Sequence, residues 1–113
     1  ESGKQLSQIA ACFASQSRFR IELYIDTGDK SANKKVFDEL KDQKHEIEAE
    51  IGEPLGWERL DDKRASRIAL YNAGNIEDDY EKLKALQEWT IKKVPIFYNT
   101  ITQRAIKVFN EFG

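Results

Sequence analysis

Carboxylates crowd two short stretches of the chain. Asp26 and Asp29 close ELYIDTGDK, and Glu58, Asp61 and Asp62 run through WERLDDKRASRIALY (57–71). Carboxylate oxygens suit a divalent ion such as magnesium. A metal-dependent nuclease using Asp26, Asp29, Asp61 and Glu58, with Lys30 or Lys63 alongside, is the chemistry such a set could perform. The spacing matches no established metal-ligand pattern, and the acids have simpler duties. Asp26 and Asp29 fall where a turn and a helix cap are needed, and Asp62 falls in a turn. Cys12 and His45 are each the single residue of their type, so a Cys/His zinc site cannot be assembled. Gly28 stands alone, without the glycine-rich pattern of a phosphate loop. The sequence therefore assigns no catalytic residue, no metal and no cofactor.

The elements that position these side chains follow from periodicity. In FRIELYID (19–26), Phe19, Ile21, Leu23 and Ile25 alternate with Arg20, Glu22, Tyr24 and Asp26, the pattern of a half-buried strand. Residues 6–14 read as a first strand, with a helical start as the competing reading. Val36, Phe37, Leu40, Ile47 and Ile51 predict a helix over 31–51 that Gly52 ends and Pro54 follows. Two strands are expected at about 55–61 and 65–71. From Leu83 to Phe112 an apolar stripe recurs every three or four residues and stays in phase across Pro95, which predicts one kinked helix or two nearly collinear ones. The fold class is α+β: an antiparallel sheet in the order β-β-α-β-β-α, helices on one face, and a long kinked C-terminal helix.

A turn centred on Asp62-Lys63 sets the pairing of the second hairpin. Glu58 then faces Arg67 and Trp57 faces Ile68, so much of the charge resolves into cross-strand pairs of roughly 0.2–1 kcal/mol each. If helices cover one side, the open side shows Arg20, Glu22, Tyr24, Glu58, Arg67 and Tyr71. Arginine beside tyrosine can stack bases and pair phosphates, or form a protein interface. Glu22 and Glu58 work against phosphate, and the net charge of −2 argues against a general polyanion binder.

The chain has 113 residues, 40% hydrophobic and 34% charged, which fits one soluble domain with a single core. No apolar run reaches a membrane span and no signal-peptide pattern is present, so a cytoplasmic chain without membrane contact is expected. The opening Glu1-Ser2-Gly3 reads as a cloning scar, and the lack of methionine, even at position 1, reads as a fragment of a longer protein or a processed form. A helix of about 50 Å should overhang a domain about 30 Å across. Phe97, Ile101, Val108 and Phe112 are accordingly expected at an interface, with a second copy or another domain of the parent protein as partner.

The segments FRIELYIDTGDK (19–30) and KHEIEAEIGEPLGWERLDDKRASRIALY (44–71) carry a resemblance. They resemble a prokaryotic domain-of-unknown-function family often found C-terminal to PD-(D/E)XK-type nuclease-like domains. The resemblance covers about half the chain and brings no catalytic residues with it. It implies an accessory role in DNA processing or defence: dimerisation, target binding or coupling.

Overall fold

The computed structural model describes residues 7–112, with side chains for 8–111. Strands β1 (Ser7–Ala14) and β2 (Arg18–Ile25) form the first hairpin, and helices α1 (Lys30–Lys41) and α2 (Lys44–Ile51) follow. Strands β3 (Gly56–Glu58) and β4 (Ser66–Ala73) make the second hairpin, and helix α3 (Tyr80–Phe112) ends the described chain. The four strands form one antiparallel sheet in the order β1-β2-β4-β3. This is the expected α+β architecture, with the first segment settled as a strand.

One inner face of the sheet builds the core. Ile21, Leu23 and Ile25 of β2 and Ile68 and Leu70 of β4 are buried against Val36, Phe37 and Leu40 of α1, Ile47 and Ile51 of α2, and α3. The alternation in FRIELYID placed Ile21, Leu23 and Ile25 correctly, because successive side chains of a strand point to opposite faces and the helices pack on one of them.

The expected helix over 31–51 is two helices. Asp42 and Gln43 close α1 with backbone bonds to Asp38 and Leu40, and Gln43 at φ −102°, ψ 18° starts α2 in a new direction. That turn lets Glu48 reach β3, where its Oε2 accepts from the Leu55 N–H and from Trp57 Nε1, both at 2.9 Å. Gly52 closes α2 at φ 87°, as expected of a glycine in the left-handed region.

Helix α3 runs unbroken through Pro95. The molecule measures 46 × 28 × 27 Å, so it is elongated enough to lie along its own longest helix. Phe97, Ile101 and Val108 are therefore buried in the chain's own core instead of meeting a partner. The body is longer along this axis than the roughly 30 Å expected of a round domain, so the helix does not overhang it. The expectations for Phe112's side chain and for residues 1–3 lie outside the described residues.

Candidate functional site

The sheet's other face has no element of the described residues over it. Its register puts Arg20 opposite Tyr71, Glu22 opposite Ala69 and Tyr24 opposite Arg67 on β2 and β4, and Glu58 opposite Arg67 on β3. All six residues expected on the open side therefore share it. The pairing of Gly56, Trp57 and Glu58 with Ala69, Ile68 and Arg67 is the expected register, although the strands are joined by the loop 59–65, whose hydrogen-bonded turn, from the Lys63 N–H to the Leu60 carbonyl, centres on Asp61-Asp62 and not on Asp62-Lys63.

Arg20, Glu22, Glu58, Arg67 and Tyr71 form one linked set, with Tyr24 beside Arg67 on the same face. Arg67 Nη1 donates to Glu58 Oε1 at 2.7 Å, and the Tyr71 hydroxyl donates to Glu58 Oε2. Glu22 Oε1 lies 2.6 Å from Arg20 Nε and 3.1 Å from Arg67 Nε. Those two are charge contacts, not aligned hydrogen bonds: Glu22 Oε1 and the buried Nε atoms of Arg18, Arg20 and Arg67 have no hydrogen-bond partner in line. Glu22 is only 8% exposed, and two guanidinium neighbours offset the cost of burying its charge. Arg18 completes the row, its guanidinium 4.0 Å from the centroid of the Tyr71 ring. Burial pushes the Tyr71 hydroxyl above its ordinary pKa, and its bond to Glu58 pushes the same way. Three arginines against two glutamates leave the face net positive within an acidic chain. Sequence reasoning missed Arg18 by starting the strand at Phe19, although Arg18, Arg20, Glu22 and Tyr24 keep the same period of two.

The nuclease candidates do not converge. Asp26 binds Arg64 through Nη2 at 2.6 Å and Nε at 3.0 Å, and accepts from the Gly28 N–H at 2.9 Å. Arg64 first, and then that N–H, hold the Asp26 carboxyl down at about 2. Asp29 caps α1 by accepting from the Ala32 N–H. Asp61 pairs with Arg59, which also binds Asp38 at 3.0 Å, and Glu58 is taken up on the open face. Among the described residues, no three of the His, Cys, Asp and Glu side chains are grouped to hold a metal ion.

The charged loop between β3 and β4 is instead fastened to α1. Lys34 is 6% exposed, and its Nζ donates to the carbonyls of Arg59, Leu60 (2.8 Å) and Ala65 (2.6 Å) and to Ser66 Oγ (3.1 Å). Burial lowers the Lys34 pKa, and nearby Lys30 adds to that. Asn33 donates to the Arg64 carbonyl at 2.9 Å and accepts from the Thr27 N–H at 2.7 Å. This is why the expected strand 55–61 stops at Glu58. The Arg59 and Leu60 carbonyls turn to Lys34, and Leu60 takes φ 54°. The available signal was Asn33, one turn before Val36 and Phe37 on the buried stripe of its helix.

A shallow cleft of about 480 Å³ opens at the other end of the sheet, lined by Ser17, Asn72, Asn75, Asp78, Lys82 and Leu86. Its polar groups hold the loop between β4 and α3: Asn75 Nδ2 donates to Ser17 Oγ, and Asp78 accepts from the Asn75 N–H.

A family model described as a domain of unknown function (DUF4268) matches residues 2–105. The chain belongs to that family. No curated protein and no solved structure matches it. The DUF4268 match spans the sheet and most of α3, so both the open face and the Lys34 anchor lie within the family's domain.

Proposed function

We propose that this DUF4268 domain is a non-catalytic interaction module of a nucleic-acid-processing or defence protein. The observation that carries the reading is the contrast between two sets of charges. The carboxylates a nuclease would need are dispersed into a cap, a loop anchor and surface pairs. The arginines of the open face and Tyr71 are gathered into one linked surface with nothing of the described chain over it. Such a surface is built to meet a partner rather than to turn over a substrate. The DNA-processing context comes from the resemblance to families that accompany nuclease-like domains. A structural dimerisation domain and a metal-dependent nuclease are the competing readings.

The Arg18–Tyr71 stack supports a nucleic-acid partner specifically, since a guanidinium over an aromatic ring is a ready platform for a base. The test is incubation with single- and double-stranded DNA plus magnesium or manganese. The DNA should stay intact, and retention should weaken with salt and with Arg18→Ala or Arg67→Ala. Cleavage that disappears in Asp26→Ala or Asp61→Ala would promote the nuclease reading.

A further inference from the structure

The two edges of the sheet are unlike. The β3 edge is three residues long, with Pro54 before it and the charged loop from Arg59 after it. The β1 edge reads SQIAACFA, with no charge and no proline, and among the described residues no strand lies on the outer side of its residues 9–14. Its register with β2 is one-to-one from Ser7 to Ala14, so no bulge twists it away. Long, flat, uncharged edges are what monomeric proteins avoid, because alternate N–H and C=O groups stay open to another strand.

Two further surfaces turn toward the same side. Ala11 and Phe13 lie on the core face of β1, opposite Ile21 and Phe19, yet Ala11 is exposed and Phe13 is 40% exposed. The helix layer stops short of them. Helix α2 sits at the β3 end, where Glu48 holds Leu55 and Trp57. Helix α3 meets the α2 segment through Trp89 on Glu53, Lys93 on the Ile51 carbonyl, and Arg104 on Gln43 and Glu50. At about 100° per residue, Ile91 and Tyr98 lie about 140–160° around the helix from Lys93. They face away from α2, toward the β1 end, and are 66% and 52% exposed. Pro95 is exposed between them.

We infer that a second copy of this chain occupies that space, with β1 pairing antiparallel to its twin and α3 packing beside its twin. One two-fold axis perpendicular to the sheet satisfies both contacts, since it makes each element antiparallel to its copy. The helix layer ends short of Ala11 and Phe13, so extending the sheet by symmetry brings the two α3 helices toward each other across a strip that Ala11, Phe13, Ile91 and Tyr98 of both copies can fill. The strand edge is about 26 Å long and the strand-plus-helix section about 20 Å deep, on the order of 500 Å² of flat section per copy. With side-chain relief this reaches the lower end of stable interfaces, about 1,200 Å² in total, so the dimer is concentration-dependent. The eight-stranded sheet would join two open faces into one surface, which deepens the interaction-module reading on which the dimer's purpose rests.

Sedimentation equilibrium over a wide concentration range tests this. The chain should approach twice its 13.1 kDa mass, and amides of β1 should exchange more slowly as concentration rises. Ile91→Glu, Tyr98→Glu and Ala11→Lys change exposed positions, and each should weaken the dimer about tenfold or more without altering the monomer's circular dichroism. A monomer at every concentration overturns the proposal, and so does a dimer indifferent to all three substitutions. The mass readout is independent of DNA cleavage or binding, so the dimer can fail while the interaction-module reading stands.

Discussion

Replacing Lys34 with methionine probes the anchor of the charged loop. The substitution keeps the volume of the aliphatic stem and removes the ammonium from four acceptors. They do not all become orphans. Ser66 Oγ still donates to the Arg59 carbonyl at 2.8 Å, and the Lys63 N–H still reaches the Leu60 carbonyl at 2.8 Å. The Ala65 carbonyl loses the donor that buries it. Bonds from a charged donor contribute about 1.5–3 kcal/mol each, and an orphaned buried acceptor costs about 1–3 kcal/mol. Relief of the ammonium's desolvation returns part of this, leaving a net loss of about 2–4 kcal/mol. For a domain of this size that lowers Tm by roughly 8–17 °C. Urea unfolding followed by tryptophan fluorescence reads it, since Trp57 lies in the hairpin this loop closes. Lys34→Arg keeps the charge but not the compact three-donor head, and should lose at least half as much. A loss below about 1 kcal/mol in Lys34→Met, or a Lys34→Arg protein as stable as the parent, would refute the reasoning.

Three further substitutions test other contacts of the fold. Trp57→Ala removes the ring 6.2 Å from Phe37 and the bond to Glu48, and should cost about 2–4 kcal/mol, since the indole is half-buried; Glu58→Ala should cost about 1 kcal/mol because Arg67 keeps Glu22; denaturant titration of both variants checks the order. Asp26 is depressed from its ordinary 3.8 to about 2, so its contribution is complete above pH 4 and is lost as pH falls through 4 toward 2. Solvent screening limits this to about 1 kcal/mol, and the stability gap between the parent chain and Asp26→Asn should close over that window.

The architecture was legible where burial and period coincide. Ile21, Leu23 and Ile25 announce a one-sided strand, and Trp57 with Ile68 and Leu70 announces the buried face of the second hairpin, which leaves one register for β3 on β4 even though the turn itself centres on Asp61-Asp62. The open-face residues were legible for the same reason. Long-range polar contacts were not. Lys34 reaches carbonyls more than twenty positions away, and nothing in the residue types of α1 distinguishes it from exposed Lys30 or Lys41. The α3 stripe was legible as apolar, but its destination was not. Whether Phe97 and Ile101 meet their own core or another chain depends on the shape of the body, which periodicity does not carry.

The strand order has a consequence for chain entropy. Strand β2 is central, and its two neighbours arrive from very different distances. Strand β1 is joined to it by Ser15-Gln16-Ser17 alone, while the β4 side is closed by contacts such as Asp26 with Arg64, 38 positions apart. Closing the longer loop costs about 2 kcal/mol more than closing the short turn. The same loop carries α1, which brings Asn33 and Lys34 to the carbonyls just ahead of β4. The helix thus offsets, through side-chain bonds, part of the free energy that loop closure costs when the central strand finds its distant neighbour.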